Sequence, residues 1–274
     1  MTNAGSEKLR KLCAEDIPYA AQLSAQAGWN QTAEDWKTLL ELSPEGCLAI
    51  EVDGQLAATT TLLCYGRRLA WIGMVLTKAE YQRRGFARKL LAFALESADR
   101  MGIATIKLDA TDQGQPLYES LGFRSEQEVE RWSRPGEDAV QLSASRAPAE
   151  KVWRDSDSLA FGADRSHLLE RLARLNPPIL VSRSYLFSRP GRVSAYLGPC
   201  ISENLGTAQR IIEECIQNTR CAWSWDLLPQ NQDAVVLARD LGFSPKRHLV
   251  RMARGTELRE KEDAIYAIAG FELG

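Results

Sequence analysis

Apolar and polar residues follow two alternating periods along this chain, and the places where one gives way to the other mark its elements. Residues 15–27 carry apolar positions at helical spacing (Ile17, Ala20, Leu23, Ala27), and Gly28 follows where a helix would close. Thr32 with Asp35 three residues on reads as a helix start, and Trp36, Leu39 and Leu40 supply that helix's apolar face. Residues 8–13 are a short strand candidate, runs rich in Val, Ile, Thr and Leu predict strands over 47–52 and 56–64 with Asp53-Gly54 as a two-residue hairpin turn, and 70–77 is the next strand. From Gly85 the helical period returns. Phe86, Leu90, Ala94 and Ala98 form one stripe, Ala87, Leu91 and Leu95 the next, and Gly102 stops the helix. A strand over 103–110 and a short helix over 116–121, closed by Gly122-Phe123, complete this half.

A polar stretch over 135–149 breaks the pattern and predicts a domain boundary. Beyond it the spacing predicts a helix over 155–175, ended by Asn176-Pro177-Pro178. Strands follow over 179–187 and 193–201, with Arg189-Pro190-Gly191 between them. A helix over 206–217, a strand over 221–227, a helix over 232–241 and closing strands over 248–252 and 264–271 finish the chain. Phe161-Gly162-Ala163-Asp164-Arg165 also reads as a helix start.

The second half repeats the first. With Gly85 set on Gly206, the following helix agrees in length and apolar pattern, and Ile-Lys-Leu-Asp-Ala falls on Ser-Trp-Asp-Leu-Leu. Leu121-Gly122-Phe123 then matches Leu241-Gly242-Phe243. The expectation is an α/β (α+β) chain of two similar domains, 1–140 and 150–274, each a mixed, mostly antiparallel sheet flanked by helices. A length of 274 residues fits two domains at roughly 150 residues each.

Composition narrows the function classes. The formal net charge is -2, so no broad positive field is present and nucleic acid is not the expected partner. The six cysteines form no CxxC pair, and the two histidines, His167 and His248, stand far apart, so a metal site is not expected. A Ser/His/Asp triad would have to use one of those two histidines. No apolar run approaches a membrane span and residues 1–10 lack the core of a signal peptide, so a cytoplasmic protein with free thiols is expected.

One stretch carries candidate chemistry. The strand Trp71 to Thr77 runs into the turn Gln82-Arg83-Arg84-Gly85-Phe86-Ala87, which opens a helix. A helix N-terminus behind a glycine turn aims several backbone N–H groups and the helix dipole at one point, which makes an anion site suited to a pyrophosphate. Arg83, Arg84, Arg88 and Lys89 concentrate positive charge there. A solvated basic helix face would look the same on composition alone. No Gly-Lys-Ser/Thr follows, and the spacing is not GxGxxG.

Together with Leu117-Tyr118-Glu119-Ser120-Leu121-Gly122-Phe123 downstream, this turn resembles the acetyl-CoA motif of the GNAT acetyltransferase superfamily, over roughly residues 8–134. The remainder is similar to the degenerate second domain of tandem members. The resemblance implies splayed central parallel strands in each domain and acetyl-CoA as co-substrate, without a metal. The backbone of Val75, Leu76 and Thr77 would pair with the pantetheine arm, and residues Gln82, Arg83, Arg84, Gly85, Phe86, Ala87 and Arg88 would hold the pyrophosphate. Tyr118 would stand near the thioester sulfur as general acid. The asparagine that often precedes the tyrosine helix in that family is absent, the region reading Thr111-Asp112-Gln113.

The reaction so implied is direct attack of a small-molecule amine on the thioester in a ternary complex. An alkylamine must first lose a proton. Asp109, at the end of a central strand, and Glu80 are the candidate bases, with a turn-capping role as the alternative for Asp109. Trp29 is a candidate wall of the acceptor site, or local packing. In the second half the turn reads Glu203-Asn204-Leu205-Gly206-Thr207-Ala208 and Tyr118 is matched by Ala238, so that domain is expected not to catalyse. A non-catalytic acyl-CoA-binding or sensing protein is the alternative, and an interaction protein that keeps only the fold is a third. The acceptor and the oligomeric state are not encoded in these motifs.

Overall fold

The computed structural model describes residues 6–137, 140, 142, 153–217 and 219–274. Most of the polar boundary expected over 135–149 lies outside them. The chain divides into two compact units, Met1–Ile106 and Lys107–Gly274.

In the first unit, strands β1 (Glu7–Lys11), β2 (Cys47–Val52), β3 (Gln55–Tyr65) and β4 (Leu69–Thr77) form an antiparallel meander. Helices α1 (Ile17–Gln26) and α2 (Ala33–Leu42) lie between β1 and β2 in sequence, and α3 (Phe86–Arg100) follows β4. Side chains of a strand alternate between faces, yet Ala57 through Leu63 are all buried. Both faces of the meander are therefore covered, by α1 and α2 and by α3, all of which contact β3. Trp36 on α2 is fully enclosed and its Nε1 donates to Ser24 Oγ on α1 at 3.0 Å, which joins the two helices inside the core.

Glycine closes helices by one device in both units. Gly28 has φ +74, its N–H donates to Ala25 O at 3.0 Å, and the N–H of Trp29 donates to Ser24 O at 2.9 Å. The same pair of bonds ends α3 at Gly102-Ile103, and it recurs at Gly122-Phe123 and Gly242-Phe243.

The second unit holds most of β5 (Thr105–Ala110), with α4 (Gln115–Glu119), β6 (Arg124–Arg134), α5 (Trp153–Phe161), α6 (Ser166–Leu175), β7 (Ile179–Val181), β8 (Ser184–Arg189) and β9 (Ala195–Ile201). Helix α7 (Leu205–Gln217), β10 (Trp223–Leu227), α8 (Gln232–Asp240), β11 (Ser244–Gly255) and β12 (Ile265–Ala267) complete it. The strand order is β5-β11-β6-β10-β9-β8-β7, and β12 pairs with β9. Strands β9 and β10 pair in parallel, over Ala195–Leu197 and Trp223–Trp225. Strand β6 does not lie beside β5. It sits between β10 and β11, antiparallel to both.

Three expected elements change. The helix expected over 155–175 is two helices. Gly162 has φ +81, a Cβ there would stand 2.8 Å from Arg259 O, and the break lets the buried Arg165 turn back onto Asp157. Residues 161–165 thus lead into α6, in keeping with their reading as a helix start. The strand expected over 179–187 is the hairpin β7–β8, turned at Ser182 with φ +54. The strand expected over 264–271 shortens to β12, because two arginines draw the backbone beyond it out of the ladder. Arg189 donates to Ala269 O at 2.7 Å, and Arg165 donates to Gly274 O at 2.8 Å.

Candidate functional site

Strand β4 reaches the candidate turn through a bulge. Pairing with β3 shifts by one residue between Thr59↔Leu76 and Thr61↔Gly73, and Met74 takes φ +50. Thr59 Oγ1 donates to Met74 O at 2.8 Å, which fastens the distorted residue from the neighbouring strand. A bulge takes one residue out of the ladder and re-aims the groups beside it. Val75, Leu76 and Thr77 follow it, with Val75 and Thr77 half-buried and Leu76 buried. Nothing in the sequence marks Met74, since a methionine with positive φ has no local signal.

Past Thr77 a short 3-10 turn, Ala79–Tyr81, leads to Gln82. The Gln82 amide donates to Thr77 O at 3.3 Å and ties the turn to the end of β4. Arg83 has φ +62 and Gly85 φ +82. Gly85 is the N-cap of α3, no side chain caps that helix end, and the first closing bond runs from Lys89 N–H to Gly85 O. The N–H groups of Phe86, Ala87 and Arg88 therefore have no acceptor within the helix. A Cβ on Gly85 would meet nothing within 4 Å, so the glycine is required by its backbone angle and not by crowding.

The charges at this helix end divide by role. The Arg84 guanidinium lies 5.4 Å from the Tyr81 ring centroid and 5.2 Å from that of Phe86, which packs its stem over the aromatic pair. Lys89 is paired with Glu7 at 2.5 Å. Arg83 and Arg88 are exposed. Lys78 pairs with Glu80 at 2.6 Å, and that hydrogen bond holds the Glu80 carboxyl below its ordinary value, which weakens it as a base.

Tyr118 is buried on α4, in the second unit. Its ring meets Phe123 edge-on, with centroids 6.1 Å apart, and a Cβ on Gly114 would stand 3.0 Å from its Cε2. Gly114 thus lets the chain approach the ring, a role with no motif to announce it. Burial pushes the Tyr118 phenol up to about 12. The proton stays on the oxygen across neutral pH and is costly to give away.

Asp109 does not face open space. Its side chain is 0% exposed, and Arg251 of β11 donates to both carboxyl oxygens, at 2.9 and 3.2 Å. Arg251 also reaches Glu260, which bonds the buried Lys107 at 2.9 Å. Burial pushes the Asp109 carboxyl above its ordinary value, against the pull of Arg251. An enclosed carboxylate with both oxygens occupied serves packing, and this corrects its expected place as a base facing a cleft. The turn-capping alternative is not what holds it either, since its partner is a strand arginine. Trp29 is half-buried in the α1–α2 loop, with its N–H closing α1.

The second turn differs in conformation as well as in charge. Trp71 to Thr77 on β4 matches Tyr196 to Ser202 on β9, glycine on glycine at Gly73 and Gly198. The link from Ser202 to α7, residues 203–204, is then six residues shorter than the link from Thr77 to α3, residues 78–85. Gly206 lies inside α7 without a positive φ, so it is not the conformational counterpart of Gly85. Asn204 Oδ1 accepts the Thr207 N–H at 2.9 Å and caps the helix from within.

Comparison with known proteins gives two matches along the chain. An acetyltransferase (GNAT) family model matches residues 13–123, and an acetyltransferase (GNAT) domain model matches residues 154–267. The chain is similar to the uncharacterized N-acetyltransferase YitH of Bacillus subtilis (strain 168), 29% identical over 219 residues, covering 75% of this chain and 77% of the relative. Among solved structures it resembles a protein of Pyrococcus horikoshii assigned as an acetyltransferase. The TM-score is 0.81 at 22% identity, over 100% of this chain and 97% of that one. It also resembles a GCN5-related N-acetyltransferase of Sphaerobacter thermophilus, with TM-score 0.65 at 16% identity, over 92% and 98%. These two structures bear on the fold.

Proposed function

Because this chain belongs to the GNAT acetyltransferase family, with two such domains in tandem, we propose that it moves an acetyl group from acetyl-CoA to the amine of a small molecule, by direct attack in a ternary complex. Residues 1–140 form the working domain in this reading, and residues 150–274 a non-catalytic companion. The observation that carries the reading is the uncapped start of α3 behind Gly85. Three backbone N–H groups and the positive end of a 15-residue helix meet there with exposed Arg83 and Arg88. Those groups suit a pyrophosphate, and the cap that would compete with it is missing.

Acetyl-CoA, when bound, supplies an acetyl group already activated as a thioester. The chain's own residues bind and position it, and the proton given up by the amine passes to water, since Asp109 is enclosed and Glu80 is held low by Lys78. Phe86, Ala87 and Arg88 offer N–H donors to phosphate oxygens, with Gln82 fixing the turn that aims them. Val75, Leu76 and Thr77 offer a strand edge to the pantetheine arm. An N–H beside the Met74 bulge stabilises negative charge on the acyl oxygen. Tyr118 holds a proton at its hydroxyl oxygen for the departing sulfur. An unperturbed thiol has pKa about 8.5, and the Tyr118 phenol stands near 12. Hydrogen bonding to the sulfur therefore contributes more than complete donation.

A small acceptor is supported by a cavity of about 500 Å3 in the first unit, lined in part by Lys78, Tyr19, Gln22 and Gln26. Cavities of that order suit small molecules. Trp29, expected as a wall of the acceptor site, is not part of that lining. We place the reaction in the cytoplasm and without a metal or a membrane.

The test follows thiol release from acetyl-CoA over a panel of amino acids, polyamines, aminoglycosides and a lysine peptide, beside thermal melting with acetyl-CoA. Ligand that binds the folded state raises the melting temperature. A rise with turnover on a small amine supports the reading. A rise without turnover on any amine favours the sensing alternative, and no rise at saturating acetyl-CoA rejects both.

A further inference from the structure

Strands β4 and β9 match in residue type, and each carries a bulge at its pairing with the preceding strand. On β4, the stretch after the bulge is where the acyl-carrying arm of acetyl-CoA is assigned above. On β9 the matching stretch already has a partner. Ile201 pairs with Ile265 and Cys200 with Ala267 of β12, and the N–H of Ser202, the counterpart of Thr77, donates to Ala264 O at 3.0 Å.

The other flank of the segment is held as well. Parallel pairing of β9 with β10 runs only to Leu197↔Trp225. Past that point Ile268 N–H donates to Asp226 O at 2.9 Å, and Trp225 Nε1 donates to Tyr266 O at 2.7 Å. Residues 264–268 therefore lie between the two parallel strands and bond to both.

The fit is close at every side. A Cβ on Gly198 would stand 2.2 Å from Ile268 O. Asn231 donates from Nδ2 to the carbonyls of Glu262, Asp263 and Ile265 at 3.3, 3.2 and 3.0 Å. Farther along, Arg189 holds Ala269 O and Glu272, each at 2.7 Å, and Arg165 holds Gly274 O. All of residues 265–274 except Phe271 are buried. A loosely laid tail would not bury its backbone in this way or draw two enclosed arginines to it.

We propose that residues 264–274 are a built-in occupant of the second domain's acyl-CoA cleft, a peptide strand standing where the first domain receives a pantetheine arm, so that one chain binds one acyl-CoA. This rests on the assignment of that arm to β4 made above. It gives the second domain's silence a steric cause beside its acidic, shortened turn. Making the 203–208 turn basic would not create a second site, because the cleft beyond the turn is full.

Two measurements on the intact chain decide it. Equilibrium dialysis with labelled acetyl-CoA is expected to give one equivalent per chain. Hydrogen exchange read by mass spectrometry is expected to show peptides over 198–202 and 264–274 as protected as β10, with or without acetyl-CoA. Two equivalents, rapid exchange over 264–274 in the free chain, or exchange there that rises on adding acetyl-CoA would each overturn the proposal. Binding of none rejects the acetyl-CoA reading of the first domain, while exchange in the free chain still decides this one. Asn231→Ala is expected to speed exchange over 262–268 about tenfold, as loss of one or two net hydrogen bonds would, with one equivalent still bound. Unchanged exchange in that variant would mean the segment is not held as described.

Discussion

The turns that open α3 and α7 occupy the same place in the repeat and leave their helix ends in opposite states. Before α3, Arg83 and Gly85 both take left-handed backbone angles, and the N-cap, a glycine, has no side chain to offer the first N–H groups. Before α7 the link is shorter, Gly206 is an ordinary helical residue, and Asn204 occupies the Thr207 N–H. A helix start is an anion site only while its donors are unspent. One copy has no side chain at its N-cap, and the other spends the Thr207 N–H on Asn204. The strands leading into the turns repeat the contrast, since the β9 stretch after its bulge is paired with β12. Glycine at matching sequence positions was no guide to this. What separates the copies is the length of the link, which decides whether the glycine falls before the helix or within it.

The largest expected effect bears on which carboxylates belong to the open copy. Asp109→Ala leaves Arg251 enclosed beside a lost partner and is expected to cost about 3–5 kcal/mol of stability, read as a shifted urea midpoint. Full stability with turnover alone abolished would return Asp109 to the chemistry. Next is Gly85→Asp, which places a side chain at φ +82 and a carboxylate at the anion site. Left-handed strain of about 1–2 kcal/mol lowers stability, and charge repulsion of about 1–2 kcal/mol at the helix end predicts roughly tenfold weaker acetyl-CoA binding, measured by titration calorimetry. Affinity within twofold of the parent would remove the contrast between the turns.

Tyr118→Phe is expected to lower kcat about tenfold, near the low end of what a positioned proton donor contributes, with acetyl-CoA affinity nearly intact. The phenol is pushed up to about 12, so its neutral form persists as pH rises and is lost only near that value. No basic limb from Tyr118 should therefore appear in the pH–rate profile below about 11. A limb near 9 that vanishes in the Phe variant would contradict this. The smallest effect is the sharpest control. Gly206→Ala adds a methyl whose nearest neighbour is Asn204 Oδ1 at 3.7 Å. It is expected to stabilise the chain by about 0.5–1 kcal/mol and leave acetyl-CoA affinity unchanged, where the matching change at Gly85 does harm.

Local chemistry was legible in the residues. Thr32 with Asp35, the closing glycines 28, 102, 122 and 242, and Asp53-Gly54 each act over a few positions, and they stand where their spacing placed them. The features that were not legible depend on distant partners. Arg165 breaks a helical pattern because Asp157 and Gly274 O wait for it. Asp109 ends a strand as a free carboxylate would, and only Arg251, far along the chain, makes it structural. The bulge at Met74 depends on the hydroxyl of Thr59. Strand neighbours were the least accessible, because β6 follows the first half directly in sequence and still pairs with β10 and β11.

That placement of β6 has a consequence for how the chain is made. Synthesis proceeds from residue 1 onward, so β6 leaves the ribosome more than a hundred residues before β11 is complete. At about 5–20 residues per second, this strand waits on the order of ten seconds with both edges unpaired. Open edges accept whatever strand arrives first, including the β10 or β11 of a neighbouring nascent chain. The charges along β6, Arg124, Glu126, Glu128, Glu130, Arg131 and Arg134, are the kind that keep such an edge soluble while it waits. Conditions that slow translation past residue 134 should therefore raise the share of interlocked, strand-exchanged dimers among the folded product.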